Sequence, residues 1–318
     1  MSGPRIFVSV AAYCDPLLAF TLTSARAQAS RPDSLYFGVI EQALPGQGLN
    51  LIDEWSREHM RWIRVDALQA RGPCWARALA MGLYQGEDWY LQVDSHTWFE
   101  PGWDERLLQW AARCAEHNPR VILSCYPNPF EWRDGQPVAM PVTQRVLAFV
   151  VQKDAGFAAE HPVLPFESVP VETDAPVPAI HVAGGCLFAP GRVVDELPYD
   201  PRIYFHGEEQ SFALRAWTHG WDLFQVPGMP LYHLYTRPGA APRPMHWSPE
   251  LDSQRAVRSA ALEAASRQRL TSLLWGGGDL GAYGLGAVRS LRDYAAFSGI
   301  DYAARTIDAR ARHARFGY

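Results

Sequence analysis

Asp94-Ser95-His96 places a carboxylate and an imidazole two residues apart, directly after the strand-like run Trp89-Tyr90-Leu91-Gln92-Val93. Side chains at i and i+2 of an extended segment point the same way, so the two can bind one cation. Mixed oxygen and nitrogen ligation suits manganese and, less well, magnesium, and such a cation can bridge a diphosphate. A solitary Asp-x-His triplet is more often a strand-terminal turn, so its neighbours carry the argument. His233, in Leu231-Tyr232-His233-Leu234-Tyr235, follows another strand-like run and is the candidate third ligand. Arg71 and Arg77 flank a loop-to-helix junction, a suitable place for a nucleotide's phosphates or base edge. Gly184-Gly185 would let a ligand approach backbone closely. Glu208-Glu209 opens a helix, where negative charge is favoured in any case.

Alternating strand and helix patterns must position these groups. Ile6 to Val10, Leu35 to Ile40, Trp62 to Val65, Trp89 to Val93 and Val121 to Leu123 read as strands. Helices are expected from Asp15-Pro16 to Ala29, from Cys74 to Tyr84 and from Trp103 to Ala115. This alternation predicts an α/β fold, a mostly parallel sheet with helices on both faces. Ligands of such sheets sit outside the carboxyl ends of the strands, which marks Ser9 to Tyr13 and Asp94 to His96. The Pro-rich stretch 126–178 shows one strand pattern, Leu147 to Val151, and resembles a functional loop. After Gly184-Gly185 a short helix is expected near Arg192 to Leu197, a helix from Glu208 to about Thr218, and a strand from Leu223 to Val226. Ser248-Pro249-Glu250 predicts a helix running to Leu273, with Ser248 as N-cap. A Gly-rich segment, 276–286, and an Arg-rich helical tail close the chain.

The 318 residues carry a formal net charge of -5, and 48% are hydrophobic, enough for a substantial core. That balance argues against nucleic acid as a partner. No apolar stretch is long enough to span a membrane and no apolar run follows a basic N-terminus, so the expected location is cytoplasmic. Cys14, Cys74, Cys114, Cys125 and Cys186 show no C-x-x-C spacing and are expected as free thiols.

The run from Arg71 to His96 resembles the polypeptide N-acetylgalactosaminyltransferases, which share an Arg/Gly…Ala-Arg stretch ahead of an Asp-x-His metal motif. The order Ala183-Gly184-Gly185…Tyr199-Asp200…Gly207-Glu208-Glu209…Ser211-Phe212…Arg215…Trp217…Gly220…His233 is similar to their second signature block. Phe7 to Pro16, Phe37 to Gln42 and Gly281 to Asp301 resemble the cytoplasmic hydroxyproline N-acetylglucosaminyltransferases more closely. Cys14 departs from that pattern, which has a charged residue there.

The resemblance implies a GT-A fold, with a catalytic domain over 1–247 and a helical extension, 248–318, packed on it. Within the catalytic domain, residues 1–125 would bind the nucleotide and residues 126–247 the donor sugar and acceptor. The resemblance also implies a retaining glycosyltransferase using a UDP-sugar, with N-acetylglucosamine as the expected sugar and a hydroxyl on a peptide, protein or glycan as acceptor. Mn2+, or Mg2+, would be held by Asp94, His96 and His233. Ser9, Ala11 and Tyr13 would line the uridine site with Arg71, Arg77, Asp94 and Ser95 nearby. Gly184, Gly185 and the candidate catalytic pair Glu208 and Glu209 would surround the donor sugar. An inverting polysaccharide-type GT-A transferase would need a positioned general base, and a non-catalytic UDP-sugar or carbohydrate-binding module should lack a full metal set. The segments 126–178 and 234–247 are expected to border the sugar pocket, with Trp132, Arg133, Arg237 and Trp247 as acceptor contacts.

Overall fold

The computed structural model describes residues 3–49, 53–140, 146–237, 239, 242–314 and 316; residues 141–145 of one expected loop and 238, 240 and 241 of the other lie outside them. The first part of the chain runs β1 (Ile6–Tyr13), α1 (Leu18–Gln28), β2 (Leu35–Ala43), α2 (Glu54–His59), β3 (Met60–Asp66), α3 (Pro73–Met81), β4 (Trp89–Asp94), β5 (Thr97–Phe99), α4 (Trp103–Cys114) and β6 (Val121–Ser124). It continues with β7 (Asn128–Arg133), β8 (Gln136–Ala139), β9 (Val146–Val151), β10 (Phe166–Val171), β11 (Val177–Pro178), β12 (Cys186–Pro190), α5 (Val193–Glu196), α6 (Glu208–Thr218), β13 (Asp222–Gln225) and β14 (Leu231–His233). The last elements are α7 (Pro249–Asp252), α8 (Ser259–Leu274), α9 (Leu291–Ser298), β15 (Ile300–Asp301) and β16 (Thr306–Ile307).

Period-two burial explains why the main sheet is covered on both faces. Ile6, Val8 and Val10 of β1 and Leu91 and Val93 of β4 pack with Leu18 and Leu22 of α1 and Trp103 and Leu107 of α4. Phe7 and Tyr90, from the same two strands, pack instead with Cys74 and Met81 of α3 and Phe212 and Ala216 of α6. Eight strands join in the order β11-β13-β6-β12-β4-β1-β2-β3. The core β4-β1-β2-β3 is all parallel, while β12 runs antiparallel between β4 and β6. A second sheet, β5-β14-β7-β8, stands at the carboxyl end of β4 and carries His233 on β14.

Four sequence expectations are corrected. The short apolar run Cys186–Pro190, read through as a link to a helix, is a central strand, because it is buried between two partners; the helix after it shrinks to Val193–Glu196. Among its described residues the stretch 126–178 holds five strands where one was expected. Its β7–β8 hairpin turns at Asp134 (φ 51°) and Gly135 (φ 76°), an Asp-Gly pair with both residues in the left-handed region. The helix expected from Ser248 to Leu273 is broken between α7 and α8. There Arg255 turns inward and donates to Ala70 O (2.8 Å) and Tyr13 Oη (2.6 Å), contacts that a continuous helix would forfeit. Ser248 stands at the N-cap of α7 with Pro249 opening the helix, as expected, but its side chain makes no cap bond; its hydroxyl accepts instead from the Met245 N–H at 2.9 Å. Finally, the Arg-rich tail is α-helical over Leu291–Ser298 and continues into the small β15–β16 pair and a 3-10 turn at Arg310–Arg312.

Leu214 and Trp217 of α6 pack against Leu273 and Leu274 of α8 and Tyr294 and Phe297 of α9. α9 starts with a reciprocal cap: Ser290 Oγ accepts from Asp293 N and Asp293 Oδ2 accepts from Ser290 N, contributing about 1 kcal/mol. All five cysteines are free. Among the described residues no helix is long and apolar enough to cross a membrane.

Candidate active site

The strand ends of β1 and β4, the Gly184-Gly185 turn, the first turn of α6 and His233 surround one cleft of about 620 Å3. A cavity of this size suits a small-molecule ligand. Asp94, His96 and His233 meet there: one ligand atom from each lies within 4.8 Å of the others. His233 is delivered by the pairing of β14 with β5, which sets it opposite Thr97. Its Nε2 lies 3.0 Å from Asp94 Oδ2, and its Nδ1 is buried with no hydrogen-bond partner. The imidazole of His96 is buried and its Nδ1–H donates to Asp15 Oδ2 at 2.7 Å, which leaves Nε2 an acceptor. One carboxylate and two imidazoles fit Mn2+, and three protein ligands leave positions for substrate oxygens.

Arg77 is not the solvated arginine of a helix surface but a buried tie between two carboxylates that line the cleft. Its Nη1 pairs with Glu208, and its Nη2 donates to Asp94 Oδ1 at 2.9 Å. Burial pushes the Glu208 carboxyl up to about 7, against the Arg77 guanidinium and with help from the charges of Glu209 and Asp94. Burial also opposes ionisation of Asp94, but His233 and Arg77 hold its carboxyl well below the usual range.

The glycine pair is fitted to these charges. A Cβ on Gly184 would stand 2.5 Å from Arg77 Nη1 and 2.8 Å from Glu208 Oε1; one on Gly185 would stand 2.7 Å from Asp94 Oδ2. Gly184 has both backbone groups bonded. Its carbonyl accepts from Gln92 Nε2 (2.7 Å) and its N–H donates to Glu209 Oε1 (2.7 Å). Glu209 also accepts from Tyr126 Oη at 3.3 Å and has His181 Nε2 at 3.4 Å, so it holds the turn in place.

Other expected residues are distributed unevenly. Ala11 and Tyr13 line the cleft, whereas Ser9, on the same face of β1, is fully buried in the sheet between Gly38 and Gln92. Ser95 borders the cleft, but its hydroxyl donates to Asp15 Oδ2 at 2.8 Å. Arg71 is exposed and does not line the cleft. Of the irregular segments, Val163 to Phe166 and Arg243 to Trp247 border the cleft. Trp132 and Arg133 do not: Trp132 packs on Phe20 and Phe130, and Arg133 pairs with Glu131. Arg237 donates to Asp15 at 2.9 Å, and Trp247 stands at the mouth, 41% exposed, edge-on to Phe205.

Sequence reasoning missed Asp15, Gln92, Arg243, His246 and Arg255. His246 accepts from Tyr204 Oη at Nδ1 (2.6 Å) and donates from Nε2 to Ala70 O (2.9 Å), fastening the mouth segment. Burial lowers its pKa to about 4, in keeping with a neutral ring. Gln92 was findable, since it lies two residues before Asp94 and therefore shares its side of β4.

A family model described as Glycosyltransferase (GlcNAc) matches residues 46–304. No curated protein matches the chain. Among solved structures the chain is similar to GalNAc-T7 crystallised with UDP, GalNAc and Mn2+, at TM-score 0.60 and 14% identity over 86% of this chain. It spans 48% of that protein, about half its length. It is also similar to the mannosyltransferase PcManGT of Pyrobaculum calidifontis, in complex with GDP-Man and Mn2+, at TM-score 0.48 and 14% identity over 88% of this chain and 78% of that one.

Proposed function

Because the chain belongs to the glycosyltransferase (GlcNAc) family and has the GT-A fold, we propose that it transfers N-acetylglucosamine from UDP-N-acetylglucosamine to an acceptor hydroxyl with retention of configuration. The observation that carries this reading is the convergence of Asp94, His96 and His233 beside Gly185 in a cleft that also holds Glu208. The donor sugar and the retention follow from the resemblance to the cytoplasmic hydroxyproline N-acetylglucosaminyltransferases, and a protein or peptide acceptor is consistent with it.

In this reading Asp94, His96 and His233 hold Mn2+ or Mg2+, which when bound neutralises charge on the departing UDP. Ala11 and Tyr13 flank the nucleotide at the end of β1. Gly184 and Gly185 leave room for the sugar close to backbone. Arg77 bridges Asp94 and Glu208 and favours the ionised form of each, against the burial that raises Glu208, so negative charge centred on Asp94 faces the oxocarbenium-like centre. The acceptor oxygen bonds to the anomeric carbon on the face from which the UDP oxygen departs, and the acceptor's proton leaves with UDP. The segments 163–166 and 243–247 exclude water from the donor.

A panel of UDP-sugars with peptide and glycan acceptors, hydroxyproline peptides included, tests the proposal through UDP release. UDP-N-acetylglucosamine should be turned over fastest and chelation should stop the reaction. Equal turnover in excess EDTA would remove the metal role. NMR of the product decides the anomer; a β-linkage from the α-linked donor would replace retention with the inverting alternative.

A further inference from the structure

Asp15 has no role in the steps above, yet its carboxylate is fully buried and lies beside the metal group. Its Oδ2 accepts from His96 Nδ1 (2.7 Å), Ser95 Oγ (2.8 Å) and Arg237 Nη2 (2.9 Å), with Arg243 Nη1 at 3.6 Å. Its Oδ1 accepts from the Leu17 N–H at 3.1 Å. The chain reaches this position through Cys14, a non-glycine residue at φ 46°, whose N–H donates to Gln42 O at 2.8 Å. Strain of about 1–3 kcal/mol in such a conformation persists only where surroundings over-determine it. Here it turns the end of β1 inward.

A histidine ligand whose second nitrogen is bonded to a carboxylate has its tautomer and ring orientation fixed. Two of the groups on Asp15 come from the segment that carries the mouth residues Met245, His246 and Trp247. We propose that Asp15 is a positioning residue: it fixes His96 with Nε2 free for a divalent cation, and through Arg237 and Arg243 it ties the mouth residues 243–247 to that ligand. The inference rests on the metal reading above. It makes cation binding and the ordering of the mouth one linked equilibrium, so an arginine that touches no metal affects metal affinity.

The test uses the full chain without nucleotide, titrated with Mn2+ by calorimetry and followed by electron paramagnetic resonance. Asp15→Asn should raise the Mn2+ Kd about 10–100-fold while near-ultraviolet circular dichroism stays native. Arg243→Gln should raise it less, and the double variant should show less than the sum, because both act through one carboxylate. A folded Asp15→Asn protein with wild-type Mn2+ affinity overturns the proposal. Since that exchange strands two half-buried arginines, the wild-type protein supplies a second measurement. Long-range 1H–15N NMR should show His96 as the Nδ1–H tautomer, and an Nε2–H tautomer overturns the proposal whatever the variants do. Asp94→Ala separates the two readings. If it leaves Mn2+ binding intact, the metal reading and this inference fall together; if it abolishes binding while Asp15→Asn does not weaken it, only this inference falls.

Discussion

The inner and outer ends of the cleft are held by different physics. At the inner end Asp15, Asp94, Glu208 and Glu209 are tied to Arg77, Arg237, His96, His233 and the Gly184 backbone. At the outer end Phe205 (39% exposed) and Trp247 (41% exposed) meet edge to face, with Met245 also exposed. Buried charges are costly when unpaired, so the inner end tolerates one arrangement. Exposed aromatic surface carries little such penalty and is available to another molecule. The inner end therefore suits chemistry and the outer end suits contact with an acceptor.

The sharpest way to break this contrast is Asp94→Ala. Metal-dependent UDP release should fall by about 10²–10³-fold, measured across a Mn2+ titration. Activity that survives at high Mn2+ would mean that the inner end is not the reacting end.

Glu208→Ala removes one of the two carboxylate partners of the buried Arg77 and should lower unfolding free energy by about 3 kcal/mol in urea. The same truncation at Glu131, whose partner Arg133 is exposed, should change it by about 1 kcal/mol or less. Equal losses would erase the distinction between buried ties and surface pairs.

Gly185→Ala separates positioning from stability. A methyl group 2.7 Å from Asp94 Oδ2 should displace the carboxylate and cut turnover about 100-fold, with the melting temperature nearly unchanged. Unchanged kinetics would show that the turn has room that the geometry denies.

The smallest effect belongs to the outer end. Trp247→Ala should raise the acceptor KM about tenfold and leave UDP affinity at its wild-type value. Loss of UDP affinity instead would move this residue to the donor side.

Much of this site was legible because its physics is local. Alternation along β4 puts Asp94 beside Gln92, and the Asp-x-His spacing, the glycine pair and the acidic start of α6 each follow from a few adjacent residues. The same local rules predict β1, β2, β4, α3 and α4 closely, since the continuous apolar runs of the strands and the helical apolar spacing of α3 and α4 match their burial. The Asp134-Gly135 hairpin was equally local and went unused.

Only the tertiary structure decided what those groups face. Glu208 meets Arg77 across 131 positions of chain, His233 meets Asp94 across 139, and Arg237 meets Asp15 across 222. Such contacts depend on which strands pair. The insertion of β12 between β4 and β6 sets the glycine turn against Asp94, and the β5–β14 pairing delivers His233. The break at Arg255 has the same origin: its bonds to Ala70 and Tyr13, worth about 1.5–3 kcal/mol each to a charged donor, outweigh the local preference for an unbroken helix. Ser9 marks the boundary between the two kinds of information. Alternation placed it on the correct face of β1, but the depth at which the cleft begins was set by the elements packed around that strand.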